Sequence, residues 1–580
     1  MRRRWIWFSV CAFLGLLTLV CGLLVPAHLR AVDESIVQQA GRNTTSLVDE
    51  GLARVKQKNL GAARLLLVAA QSAQLPGQEK LVQAADDLAI QQPSLQICGR
   101  IENGGLGRLL EANPAAKEWR PGRPALQSEP FTEFVIKTAN REKALALLQA
   151  SPSSAVQELL RCRMLTNTSL LPASQSSSGQ AFDAAVCISG LLMNEGKLSP
   201  GLSNVVLSLA VQANLGGNSQ SLEQVLLDFL SLGQRLNWGQ LSAFVGGIED
   251  AETLRLQANL VRKAEARLPV LFAAVELSGE PAEVAKYLVN FNQTGFSDLS
   301  SSFQSGAGGV KELIQSNQRL HHSDFQQRAM AYPFVAGYFA SVVEVARQKP
   351  GLAIAAKWFC YLAAGFLLAV AGHFAKPTVS ALERPLQVRG FHIAREMLFA
   401  LGFLVVVVLL SEPFLSQESQ KVEFPFRLRL PTVGSAVATL KTSAQTTIMN
   451  TSSFLTMLLF FVLQALLYVA SLVKLAEVRR QRVAPRVKLK LLENEDHLFD
   501  AGLYLGFLGT IISLILVSLG VFKQPSLMAA YSSTSFGILF VVIFKILHLR
   551  PARRQLLLES EVESQMHVAP PVGSPLAAPL

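Results

Sequence analysis

The chain has 580 residues, half of them hydrophobic and 16% charged, with 53 Lys and Arg against 42 Asp and Glu for a net charge of +11. That balance excludes a disordered chain and argues against an ordinary soluble enzyme, where about a quarter of residues are charged. Six cysteines are too few for a disulfide framework.

The first apolar run covers residues 5–25 behind Arg2, Arg3 and Arg4. It is longer than the roughly 7–15 residues of a signal-peptide core, so it reads as a retained anchor over 1–27. Val25-Pro26-Ala27 would also fit a cleavage site. Residues 28–350 follow with helix-period patterns: 46–73, 142–148, 202–215, 222–232, 252–268 and 284–291. Between them stand breakers at Asn103-Gly-Gly, Pro121-Gly-Arg-Pro, Gly216-Gly-Asn and Ser305-Gly-Ala-Gly-Gly, and a flexible loop is expected at 172–179. The segment reads as an all-helical domain of stacked hairpins. Cys98, Cys162 and Cys187 fall inside it and are expected as buried free thiols. His321 and His322 are adjacent, about 100° apart on a helix, with no third ligand at a usual spacing, so no metal is assigned. No nucleophile elbow, phosphate loop or zinc-protease motif occurs, and nothing supports catalysis or a cofactor.

Five further apolar runs complete the chain at 352–374, 395–410, 454–473, 498–522 and 527–547, near the roughly 20 residues that span a bilayer as a helix. Basic residues flank alternate ends: Arg2–Arg4, then Lys376, Arg384, Arg389 and Arg395, then the run from Lys474 to Lys490, then Arg550, Arg553 and Arg554. Six spans put all four groups inside. Both termini are then cytoplasmic and residues 28–350 extracytoplasmic, periplasmic in a two-membrane bacterium, with the protein in the inner membrane. The expected fold class is therefore all-α: a polytopic helical membrane protein of about six transmembrane helices with a large helical extracytoplasmic domain. Its parts are the anchor at 1–27, the outer domain at 28–350, spans two and three at 351–411, an outer loop at 412–453, spans four to six at 454–550, and a disordered tail at 551–580, rich in Pro and Ala after Glu559.

Within the outer loop, Phe424–Leu430 alternates with period two and reads as a short edge strand or interfacial segment. The basic run 479–490 lacks aromatic residues to stack on bases, so it reads as an ordinary inner flank and not as a nucleic-acid surface. Lys357, Lys545 and His373 sit near span ends, where long basic side chains snorkel to headgroups.

The last two spans carry small residues on one face. Gly502, Gly506, Gly509 and Ser513 line the fifth, with Thr510 beside them; Ala530, Thr534 and Gly537 line the sixth, next to Ser533. Small faces let helices approach closely in lipid, and hydroxyls at that depth pair or line a hydrated path. Here Gly506-x-x-Gly509-Thr510 followed by Ala530-x-x-x-Thr534-x-x-Gly537 resembles the paired signature of the MotA/TolQ/ExbB proton-channel family, over about residues 454–550. The resemblance implies a subunit of a proton-driven motor, a homo-oligomer, typically a pentamer, around an ExbD- or MotB-like single-span partner whose transmembrane carboxylate takes the proton. Thr510, Thr534, Ser513 and Ser533 would then line the ion pathway, with Gly502, Gly506, Gly509, Ala530 and Gly537 as packing positions. The chain departs from the pattern at Ala529, where ExbB-like members carry Glu, and at Ile543, near where some carry Pro. With no carboxylate in spans four to six except Asp500 at the edge, either a partner supplies the proton site or conduction has been lost. Two other classes stand beside this: a membrane-anchored scaffold whose outer domain binds envelope partners without conduction, and a secondary transporter, for which no repeat or broken span is visible.

Overall fold

The computed structural model describes residues 2–102, 104–111, 126–330, 332–375, 391–414, 451–518 and 527–568. The chain divides into two compact units, Ala31–Ala331 and the combination of Met1–Arg30 with Tyr332–Leu580. The boundary lies nearer Tyr332 than the expected 350, because the Pro333–Gln348 helix belongs with the apolar helices.

The combined unit is built on α1 (Arg2–Leu23), α2 (Pro333–Gln348), α3 (Pro350–Ala375), α4 (Phe391–Ser411), α5 (Thr451–Arg480), α6 (Pro485–Asn494), α7 (Ala501–Ser518), α8 (Leu527–Phe544) and α9 (Arg550–Val568). Among the described residues, four helical stretches are long and apolar enough to cross a membrane: Arg4–Leu23, Pro350–Phe374, Met457–Arg480 and Tyr531–Glu563. Helices α2, α3 and α6 open on Pro333, Pro350 and Pro485, which suit a first turn because its N–H groups have no intrahelical partner. Glycines bring α1 against α3. A Cβ on Gly22 would lie 2.7 Å from the Tyr361 ring, and one on Gly15 would lie 3.0 Å from Leu368. Gly365 does the same between α3 and α4, facing Phe403 and Ala400.

Helix α8 passes through a single π-helical turn, Lys545–Leu549, straight into α9. The disordered tail expected at 551–580 is thus corrected: residues 551–568 are helical, and 569–580 lie outside the described residues. The reason is packing. Leu549, Ala552 and Leu556 join Leu475 and Val478 of α5, Leu492 of α6, Phe499 and Phe544 in one apolar cluster. The Phe424–Leu430 segment lies outside the described residues.

The other unit is helical apart from two three-residue strands among its described residues. β1 (Ala31–Asp33) and β2 (Arg319–His321) pair in parallel. They close the first and last turns of the unit onto each other, and Asp33 then caps the next helix by accepting from Ser35 N–H. Ser46 and Asn237 start their helices with reciprocal capping boxes. The core holds Trp238, Phe131, Phe182, Phe229, Phe244 and Phe272. A buried polar knot ties distant turns together: Asn59 Nδ2 donates to Gly239 O at 2.9 Å, and Asn59 Oδ1 accepts from Ala62 N–H at 3.1 Å.

Several expected boundaries move. The run 46–73 is two helices, Leu47–Lys56 and Leu60–Ser72, broken where Lys58 takes φ +57°. The run 252–268 ends at Lys263, and a new helix starts at Leu268. The glycines at 306–309 are no loop but the first turn of the Gly306–Ser316 helix. They are small because a Cβ on Gly308 would lie 2.3 Å from Ala40 O. The 172–179 segment is a coil pinned by its own turns and by Ser174 on Asp183.

Candidate functional site

The sequence signature lies where α7 and α8 pack. Gly506 O accepts from Thr510 Oγ1 at 3.1 Å and from Thr534 Oγ1 at 3.2 Å, and the two hydroxyl oxygens stand 2.6 Å apart. Each hydroxyl has one proton and two lone pairs. One hydroxyl therefore donates to the carbonyl while the other donates to its neighbour, and the roles can exchange. Thr510 is buried and Thr534 half-buried.

The glycines allow this approach. A Cβ on Gly506 would lie 2.8 Å from Ser533 O and 3.2 Å from Thr534 Cα, and one on Gly537 would lie 2.6 Å from Gly502 O. A Cβ on Gly509 would meet Ser533 Oγ at 2.4 Å. Gly502, Gly506, Gly509, Gly537, Thr510, Thr534 and Ser533 thus meet at one helix interface. The side chains of Ser513 and Ala530 lie outside the described residues.

Sequence reasoning missed Gln464 of α5. Its side chain is 1% exposed and its amide enters the notch left by three glycines. Nε2 donates to Gly502 O at 3.0 Å, and Cβ atoms on Gly506 and Gly537 would lie 3.4 and 3.3 Å from it. A glutamine inside an apolar run opposite a glycine face was the available signal. One turn on, Tyr468 OH lies 2.9 Å from His548 Nε2. Lys545 pairs with Asp500 at 2.6 Å.

Lys357 does not snorkel. Its side chain is 2% exposed, and Nζ reaches Glu412 Oε1 at 2.8 Å, Ala27 O at 2.8 Å and His28 Nδ1 at 3.1 Å. Glu412 Oε2 accepts from Leu29 N–H at 2.9 Å. The residues that follow α1 are thereby fastened to α3 and to the end of α4, where apolar neighbours exclude water and favour a close ion pair over separate hydration.

In the Ala31–Ala331 unit, Cys98, Cys162 and Cys187 are free and buried, and burial pushes each thiol up to about 12. Burial and the raised pKa leave little thiolate at neutral pH. His322 Nδ1 lies 2.8 Å from Glu34 Oε2 while His321 ends β2, so the adjacent histidines do not converge. Glu223 is a fully buried carboxylate of this unit. It accepts from the N–H groups of Ser169, Leu170 and Leu171 and from Ser219 Oγ. Burial opposes its ionisation, but these donors outweigh burial and hold its carboxyl below the usual range.

No family model, curated protein or solved structure matches this chain.

Proposed function

We propose that this chain is the membrane subunit of a proton-driven, MotA/TolQ/ExbB-like energy-transducing complex acting across a cell envelope. The observation that carries the reading is the hydroxyl pair of Thr510 and Thr534 on Gly506 O, held between glycine-packed helices. A carbonyl with two exchangeable hydroxyls offers a proton or a water a polar step where the surroundings are apolar. The proton-binding carboxylate comes from a single-span partner, around which copies of this chain assemble as a homo-oligomer of the pentameric kind. No cofactor is required.

The topology proposed with it has six spans. Helices α4 and α7 have 21 and 18 residues, or about 31 and 27 Å at 1.5 Å per residue, against a hydrocarbon core of about 30 Å. The alternation of ends supports it. The segment after α1, the start of α3 and the end of α4 meet at Lys357 and Glu412, whereas the start of α7 and the turn after α8 meet at Asp500 and Lys545. On this topology the first level faces outward and the second faces the cytoplasm, and the Ala31–Ala331 unit, between α1 and α2, lies outside.

One observation favours the scaffold reading: the two threonines also satisfy each other, as a packing device would. The Thr510→Val, Thr534→Val double variant separates the two. Full-length protein with its co-purifying partner is reconstituted into vesicles carrying an internal pH dye. The motor reading predicts loss of proton flux with the oligomer mass unchanged. Wild-type flux in the double variant would hand the function to the outer unit.

A further inference from the structure

Between the threonine pair and the end of α8 the C-terminal bundle is not solidly packed. A small cavity is lined by Gln464, Tyr468 and Ser471 of α5, Gly502 of α7, and the rings of Phe499 and Phe540. It has room for a water molecule. Gln464 Oε1 is buried at its wall with no hydrogen-bond partner among the described residues, although Nε2 of the same amide is bonded to Gly502 O. A buried amide oxygen left bare bears its full desolvation cost. A water in this cavity would remove it by donating to Gln464 Oε1, and Ser471 Oγ, whose own proton goes to Leu467 O at 3.0 Å, offers further lone pairs on the same lining.

Polar groups lie on either side of this cavity. Towards the threonines, the Gln464 amide lies against Gly506, whose carbonyl lies within hydrogen-bond reach of both threonine hydroxyls. In the other direction, Tyr468 follows Gln464 at i+4 on the same helix face and its hydroxyl meets His548 Nε2. His548 stands within the π-helical turn Lys545–Leu549. Such turns interrupt the regular helical register and recur at functional sites. Around this end are the pairs Lys545–Asp500, Arg553–Asp496 and Lys474 with Glu477 and Glu495.

We propose that the cavity is a water site and that its water, positioned by Gln464, forms with Tyr468 and His548 a proton relay running from the cavity, beside the threonine pair, to the cytoplasmic end of the bundle. The relay rests on the motor reading; the water site does not. A proton arriving on the water passes to the Tyr468 oxygen as the Tyr468 hydroxyl gives its own proton to His548 Nε2. His548 then releases the proton on Nδ1 to the aqueous side, so no net charge stays on the phenol. Gln464 does not transfer the proton; it positions the water that does.

The test uses full-length protein in lipid nanodiscs with X-ray hydroxyl-radical labelling, which marks side chains beside ordered water. Tyr468 is expected to label in the wild type and to lose that labelling in Gln464→Met, while exposed Met164 of the other unit labels equally in both. An unlabelled wild-type Tyr468, or labelling untouched by Gln464→Met, overturns the water site. Tyr468→Phe keeps the ring packing and removes only the hydroxyl. With His548→Gln, it is expected to lower vesicle proton flux without changing oligomer mass. Flux abolished by the double threonine variant but intact in Tyr468→Phe and His548→Gln overturns the relay and leaves the motor reading standing. Absence of flux in the wild type overturns the motor reading and the relay together, with the labelling result still deciding the water site.

Discussion

Replacing Glu412 by Met while keeping Lys357 takes the carboxylate away from an ammonium whose side chain is 2% exposed and whose contacts include Ala27 O and His28 Nδ1. It also removes the acceptor of Leu29 N–H. Breaking a buried ion pair from one side costs about 3–5 kcal/mol, and the stranded amide places this variant at the upper end. Lys357→Met is milder, because Glu412 keeps the Leu29 amide and has His28 Nδ1 3.6 Å away. The double replacement by two methionines removes both charges, and an apolar pair of similar volume is often close to neutral. At roughly 2–4 °C per kcal/mol for a unit of this size, Glu412→Met lowers the melting midpoint by about 10 °C or more. The double variant recovers most of that. The assay is the fraction of monodisperse full-length protein left after stepped heating in detergent, at one heating rate for all variants, since such midpoints are kinetic. Two results would refute the reasoning: a Glu412→Met midpoint equal to wild type, or a double variant whose loss is the sum of the two single losses, which marks non-interacting sites.

The same heating assay ranks the glycines. Gly506→Ala and Gly537→Ala press a Cβ onto backbone at 2.8 and 2.6 Å and are expected to cost about 1–3 kcal/mol. The nearest neighbours of a Cβ on Gly509 are side-chain atoms, Ser533 Oγ at 2.4 Å and Phe460 Cε1 at 3.1 Å, so Gly509→Ala is expected to cost less, and the reverse order would contradict the packing described. Glu223 has a folded pKa below its ordinary value, so its contribution is full above the ordinary carboxylate pKa and is lost as pH falls through the depressed one. Glu223→Ala removes a charged acceptor of three backbone amides, at about 1.5–3 kcal/mol per lost charged hydrogen bond before relaxation. Hydrogen exchange of the Ser169–Leu171 amides at neutral pH should accelerate in that variant, and unchanged exchange would deny the carboxylate its role. Cys98, Cys162 and Cys187, buried and raised to about 12, should resist maleimide in folded protein and react in denaturant, and rapid labelling of any one in the folded protein would show its surroundings to be open.

What was legible in the sequence is what short-range pattern encodes. Glycines at helical spacing marked faces for close helix approach because a missing Cβ is a local fact, but which helix each face meets, α7 against α8 with both threonines at the contact, shows only in the assembled bundle. Apolar runs predicted the long helices, although α5 extends to Arg480, beyond the run that ends at 473, because its last turns pack with α6 and α9. What was not legible needs a partner far along the chain. Lys357 reads as a snorkelling lysine until Glu412, 55 residues away, is placed beside it. Helix α9 reads as a tail until Leu492 and Leu475 cover its apolar face. Lys58 gives no local sign that the chain turns there, because the αL conformation is set by packing on both sides and not by a glycine. Gln464 is one polar residue in an apolar helix, and only the assembled bundle shows that three glycines make its seat.

The central claim, a motor-type subunit built around a partner's carboxylate, is tested most directly by native mass spectrometry of the full-length protein in mild detergent with whatever co-purifies. The account predicts a pentamer holding a small single-span protein with an Asp or Glu in its membrane segment. A monomer or dimer with no such companion would contradict it and make the glycine–threonine interface a packing device alone.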